Sequence, residues 1–235
     1  SKILDFLQDK LTVAIPKTKV FKDDFFRVVH NKIMGKQWNL QSYNKLDEKS
    51  KNLFCEDIAK FFVELHSSFS KKDEKYFDFL KEKRANYEFN IIVEKLAGIL
   101  LDSELKKLEK ISRELELLNS EKVLVHKDFY SDNSVVDEQH RLKGVFDFLN
   151  FGLYNRHYEF LSLYYSDHMD MLKNIIKIYE SITSKKIDFN IIRKMKLIGD
   201  ASALTYLEFN PEIKKDKIES FNRILDFIKS ELKLL

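Results

Sequence analysis

Apolar residues Ile3, Leu4, Leu7 and Leu11 recur three and four apart, so the opening segment predicts a short amphipathic helix. Ile15-Pro16 ends it, because proline disfavours helix at and before itself. Lys17 to Phe21 and Phe25 to Ile33 are rich in β-branched and aromatic residues and flank the turn-forming pair Asp23-Asp24, which predicts a hairpin closed by Gly35. From about Asp47 to His66 the period becomes helical again, with Phe54, Ile58, Phe61, Phe62 and Leu65 on the buried face. Residues 73 to 118 predict two or three further helices rich in Lys and Glu.

The texture changes at Glu121. Val123-Leu124-Val125, Ser134-Val135-Val136 and Gly144-Val145-Phe146 each predict a short strand, the last two joined by a polar turn over Asp137 to His140. From Tyr158 onward the pattern is helical to the end, with Ile218, Phe221, Leu225, Ile228 and Leu232 three and four apart. The expected class is therefore α+β, a few short strands inside a helical chain.

Composition bounds the function. The 235 residues are 44% hydrophobic with 20 Phe, enough for a sizeable core. Cys55 is the single cysteine, which excludes an internal disulfide and fits a reducing compartment. The 41 basic and 38 acidic residues are interleaved, so the net charge of +3 gives no nucleic-acid footprint. No apolar run is long enough for a membrane span, and the start SKILDFLQDK lacks the pattern of a secretory signal. A soluble, cytoplasmic protein with no nucleic-acid or membrane partner is expected.

The polar groups that carry chemistry cluster at strand ends. The loop between the first two short strands of that region reads His126-Lys127-Asp128-Phe129-Tyr130-Ser131-Asp132-Asn133, and the third strand runs into Asp147-Phe148-Leu149-Asn150. Phosphoryl transfer requires a carboxylate to orient the acceptor and oxygen ligands to hold magnesium against the nucleotide phosphates. Asp128, Asn133 and Asp147 form such a set, and the turn after Val136 predicts that Asp147 returns beside the loop. A capped polar turn would account for Asp128 and Asn133 alone, but leaves Asp147 unexplained.

The segment VLVHKDFYSDNSVVDEQHRLKGVFDF resembles the catalytic core of the aminoglycoside phosphotransferase family, which is similar in fold to the protein kinases and includes choline and other small-molecule kinases. The likeness covers residues 121 to 165, and the opening helix, the Ile15-Pro16 break, the hairpin and the helix ending in Leu65-His66 follow in the family's order. It implies a kinase-like fold: a truncated small lobe over 1–35 and a mostly helical large lobe over 36–235. It also implies ATP or GTP with Mg2+, a small-molecule hydroxyl acceptor of aminoglycoside type, and a part in antibiotic resistance. By position, Asp128 matches the catalytic Asp, Asn133 and Asp147 the metal ligands, and His126 a structural brace of the loop. Val29, His30 and Asn31 would lie at the hinge facing the base, with Val135 and Phe146 beneath it, although a plain hairpin core explains these residues equally well. Glu159, Asp167 and Glu208, with Asp170, Asp200 and Glu212, are the carboxylates a cationic acceptor would use, a solvated helix face being the alternative.

Departures from the family are equally specific. Gly is common where Lys127 stands, Gly or another small residue at Leu149, and Asp at Asn150, Asn155 and Glu159. None of the five glycines belongs to a glycine-rich phosphate loop, and no strand bearing a phosphate-holding Lys precedes the first helix. A fragment of a longer protein, an inactive relative and an enzyme with a rebuilt nucleotide site all fit that pattern. So do three functions: an active aminoglycoside-type enzyme, a choline- or sugar-type kinase, and a pseudokinase or interaction module.

Overall fold

A computed structural model describes residues 2–22, 26–70, 72–73, 89–118, 121–165 and 169–234. The expected Asp23-Asp24 turn, Asp167 and all of 74–88 lie outside them. The chain divides into two compact units, one formed by residues 1–83 and 121–187, the other by 84–120 and 188–235.

The first unit opens with α1 (Lys2–Leu7), which buries Ile3, Leu4 and Leu7 as its spacing predicts. The hairpin follows as β1 (Thr18–Lys22) and β2 (Phe26–His30), antiparallel, with Thr18 opposite His30 and Val20 opposite Val28. Cross-strand partners share a face, so Thr18, Val20, Val28 and His30 lie together and Val29 lies on the other side with Lys19. A short α2 (Leu40–Asn44) leads into the long α3 (Glu48–Ser67). Asp47 caps α3, its side chain accepting the Ser50 N–H at 2.8 Å. The face Phe54, Ile58, Phe61, Phe62 and Leu65 is fully or almost fully buried.

The strand region contains β3 (Lys122–Val125), β4 (Ser134–Val136), β5 (Leu142–Val145) and β6 (Gly152–Asn155). β4 pairs with β5 and β3 with β6, both antiparallel. The sequence pattern predicted three strands here and missed β6, whose Gly-Leu-Tyr-Asn run has neither alternation nor β-branched residues and is extended because β3 pairs with it. The segments around residues 14 and 36 dock on the β4–β5 pair through backbone bonds, Val145 N–H to Ala14 O at 2.9 Å and Lys36 N–H to Val136 O at 2.8 Å. Close approach at Gly144 explains the glycine, since a Cβ there would lie 2.4 Å from Ile33 Cγ2 and 3.1 Å from Ala14 O.

After β6 come α6 (His157–Tyr165) and α7 (Met169–Thr183), the latter packing Met171, Leu172, Ile175 and Tyr179 against α3. Asp57 of α3 holds Arg141 by a bidentate pair at 2.5 and 2.6 Å and accepts the Leu142 N–H, fixing the start of β5 to the helix.

The second unit is helical in its described residues: α4 (Phe89–Leu96), α5 (Asp102–Leu117), α8 (Phe189–Phe209), α9 (Pro211–Asp216) and α10 (Ile218–Leu234). α8 contacts the other four and buries Ile192, Met195, Ala201 and Leu204. Lys194 pairs with Glu114 at 2.6 Å, and Arg193 pairs with Glu231. Among the described residues no helix is long and apolar enough to cross a membrane.

Candidate active site

The loop after β3 is anchored from below by Phe129. Its ring is fully buried, with centroids 5.8 Å from Phe61 and 5.2 Å from Phe62, so the aromatic face of α3 receives the loop as a hydrophobic knob. With Phe129 pointing down, its neighbours Asp128 and Tyr130 remain only partly buried. Periodicity in α3 revealed the receiving face, but a single Phe within a polar loop carried no pattern that would mark it as the anchor.

His126, wholly buried, ties the loop to the end of β5. Its Nε2 lies 3.0 Å from the Phe146 carbonyl, which can only accept, so Nε2 carries the proton and Nδ1 accepts the Asp128 N–H at 3.3 Å. Burial pushes its pKa down, with the Glu159 charge opposing, so the neutral tautomer that this pattern requires is favoured. The His126 N–H donates to Glu159 Oε2 at 2.8 Å, and the same oxygen lies 3.4 Å from His66 Nε2. His66 in turn meets the Tyr179 hydroxyl at 2.8 Å, to which Arg156 donates at 3.0 Å. A buried polar chain therefore runs from α7 and α3 to the loop.

This corrects one expectation. Glu159 was a candidate for contacting a cationic acceptor, but its side chain is 0% exposed and committed to the loop backbone and His66. Glu208, on α8 in the second unit, pairs with Lys214 at 2.5 Å. Asp167 lies outside the described residues.

Asn133 closes the loop. Its Nδ2 donates to the Asp128 carbonyl at 2.9 Å, which leaves Oδ1 free of that bond, while its own carbonyl accepts the Phe146 N–H at 2.9 Å. Asp128, Asn133 and the residue before Asp147 are thus joined by consecutive bonds. Ser134 gives its hydroxyl to Tyr130 O at 3.0 Å and accepts the Trp38 indole N–H at 2.8 Å, tying the segment after the hairpin to the same loop. Asp147 is exposed and adopts φ of 63°, and Lys127 has φ of 70°. Two non-glycine residues in the left-handed region, each costing on the order of 1 kcal/mol or more, flank the site. Asn150 Nδ2 donates to Asp128 Oδ2 at 3.2 Å.

A cavity of about 940 Å3 opens between the hairpin and the β4–β5 ends. His30, Asn31, Val135 and Phe146 line it, and Asp147 lies on its wall. Val29 does not, being 52% exposed on the opposite face of β2; its neighbour Val28 takes the place. The Val28-Val29 pair hides which of two alternating positions faces inward, so the expectation fell one residue out of register.

Among the described residues no cluster of three or more His, Cys, Asp or Glu could cage a metal. The side-chain oxygens of Asn133 and Asp147 are hard donors of the type that suits Mg2+, an ion that keeps waters and shares phosphate oxygens rather than filling a protein cage.

Residues 3–180 match the model of the phosphotransferase enzyme family that includes the aminoglycoside phosphotransferases. The chain belongs to this family. Solved structures agree on the kinase-like α+β fold. The aminoglycoside phosphotransferase APH(2'')-IIa, in a ternary complex with streptomycin and ATP, is 22% identical with a TM-score of 0.72, covering 94% of this chain and 78% of its own. A variant aminoglycoside 2'-phosphotransferase-IIIa bound to GDP is 15% identical with a TM-score of 0.74, covering 98% and 79%. The choline kinase LicA from Streptococcus pneumoniae is 17% identical with a TM-score of 0.58, covering 97% and 79%.

Proposed function

We propose that this member of the phosphotransferase family transfers the terminal phosphoryl group of ATP or GTP to a hydroxyl of a small molecule. The observation that supports it is the bond chain from Asp128 through Asn133 to Phe146, which ends beside Asp147 on the cavity wall. The cavity has the size of a ligand pocket, with Val28, Val135 and Phe146 as apolar walls for a base and His30 and Asn31 as its polar edge.

Asp128 receives the proton of the acceptor hydroxyl as the new bond to phosphorus forms and the bond to the departing nucleoside diphosphate breaks. Asn150, donating to Oδ2, leaves Oδ1 to face the acceptor. Asn133 and Asp147 would hold Mg2+, which neutralises charge on the phosphates when bound. The backbone bond between Asn133 and Phe146 keeps those two ligands at a fixed spacing. His126 holds the loop and stays neutral.

The related structures name streptomycin, gentamicin, kanamycin, choline kinase and a macrolide phosphotransferase, so acceptors vary widely on this fold. An aminoglycoside acceptor would call for facing carboxylates, yet Glu159 is buried and Glu208 paired. Calorimetric titration with ATP or GTP and magnesium tests the nucleotide reading; binding that Asp147→Asn weakens is expected, and no magnesium-dependent binding overturns it. Asp128→Ala should lower turnover by about a hundredfold to ten-thousandfold.

A further inference from the structure

Lys127 directly precedes the proposed base, and its ammonium is held against two aromatic rings. Nζ lies 4.4 Å from the ring centre of Tyr154 on β6 and 5.6 Å from that of Tyr158 on α6, the rings being 5.3 Å apart. The backbone holds the residue there, for the Lys127 carbonyl accepts the Ser162 hydroxyl at 3.0 Å. The side chain is partly buried. Burial pushes its pKa down and the charge of Asp128 opposes this.

Among the described residues no oxygen accepts a hydrogen bond from Nζ. Ring faces replace part of the lost hydration of an ammonium but leave its three N–H donors unused, and a desolvated cation gains most from a hydrogen-bonded anion. The backbone sharpens the point. Glycine would adopt φ of 70° without steric penalty, so lysine is the strained choice, and what it adds is the charge. The nucleotide cavity is walled by other residues, the described lining passing from β2 to Val135 and Phe146 without Lys127. The ammonium instead faces β6 and α6.

We propose that Lys127, framed by Tyr154 and Tyr158, forms an anion subsite beside Asp128 that binds a carboxylate or phosphate carried by the acceptor. The inference rests on the reading of Asp128 as the base. It assigns the acceptor to hydroxyl compounds bearing a negative group, such as hydroxy acids or sugar phosphates, and disfavours polycationic ones.

The test uses the full chain with labelled tyrosines. Tyr154 and Tyr158 resonances, assigned through Tyr154→Phe and Tyr158→Phe, are followed by NMR during titration with inorganic phosphate, glycerate and, as the cationic control, ethanolamine. Saturable shifts with phosphate and glycerate but not ethanolamine are expected, retained in Lys127→Arg and lost in Lys127→Met and Lys127→Gly. The glycine variant suits the backbone and guards against loss of folding. Absence of saturable shifts in the parent, or equal shifts in the two uncharged variants, overturns the subsite. Calorimetry with ATP and magnesium separates the two sources of anion: affinity in Lys127→Gly should stay within about twofold of the parent, whereas a loss of about tenfold or more would assign the ammonium to the transferring phosphoryl group and overturn an acceptor subsite. Lys127-dependent phosphate shifts in a chain that binds no nucleotide would overturn the phosphotransferase reading alone.

Discussion

Asn133 grips the backbone of Asp128: its Nδ2 donates to the Asp128 carbonyl at 2.9 Å, so one side chain closes the loop and leaves its amide oxygen free of that bond, for the metal proposed above. Asn133→Asp separates the two roles. A carboxylate is as good an oxygen ligand but has no N–H for the carbonyl, and two acceptors would face each other. Unfolding should become easier by about 1–3 kcal/mol, the range for a part-buried acceptor left without its donor. Thermal denaturation reads this as a fall of roughly 2–4 °C per kcal/mol in a chain of this size. An unchanged melting temperature would show that the bond does not hold the loop.

The contact of Asn150 with Asp128 predicts an effect on turnover. Asn150→Asp would replace the amide N–H that now donates to Asp128 Oδ2 at 3.2 Å with a second carboxylate. Two acceptors would then face each other and their like charges would push the side chains apart, so the proposed base loses the contact that orients it. In steady-state assays kcat should fall by about tenfold or more while nucleotide affinity stays within about twofold. An unchanged kcat would remove Asn150 from the orientation of the proposed base.

Much of this candidate site was legible in the sequence, and what escaped has a common physical cause. The inward face of α3 was set by local period, and Asp128, Asn133 and Asp147 were marked by their places at strand ends. Glu159 was misassigned because a carboxylate in a helical stretch is solvated by default, while its actual partner, the His126 N–H, lies 33 residues away in sequence. β6 is extended because β3 pairs with it, and the meeting of Lys127 with Tyr154 depends on that same pairing. The left-handed backbone at Lys127 and Asp147 is imposed by loop closure; a lysine gives no sign of it, and an Asp, which turns up in many other conformations too, gives only a weak one.

Phe129 gives a prediction about stability that also reaches activity. Its ring is fully buried between Phe61 and Phe62, so Phe129→Ala should remove about 3–5 kcal/mol, the range for a phenylalanine deleted from a packed core. Phe129→Leu, which keeps most of the volume, should cost less than about half of that. Chemical denaturation of the two variants orders them. If the alanine variant matched the parent, the loop would not be anchored through this ring.

Two of the buried histidines, His126 and His66, make stability depend on pH. Burial lowers the pKa of both His126 and His66 in the folded chain, with Glu159 opposing in each case. Below the unfolded pKa of about 6.5 the unfolded chain takes up protons that the folded chain refuses. Stability is therefore whole above that pH and drains as the solution is acidified, by up to about 1.4 kcal/mol per pH unit for each histidine that stays neutral. Melting temperature measured from pH 7.5 downward should fall most steeply below about 6.5. His126→Gln removes one of this pair, so its own curve should be flatter over that range even though its starting stability is lower. A variant curve parallel to the parent's would assign the acid lability to other groups.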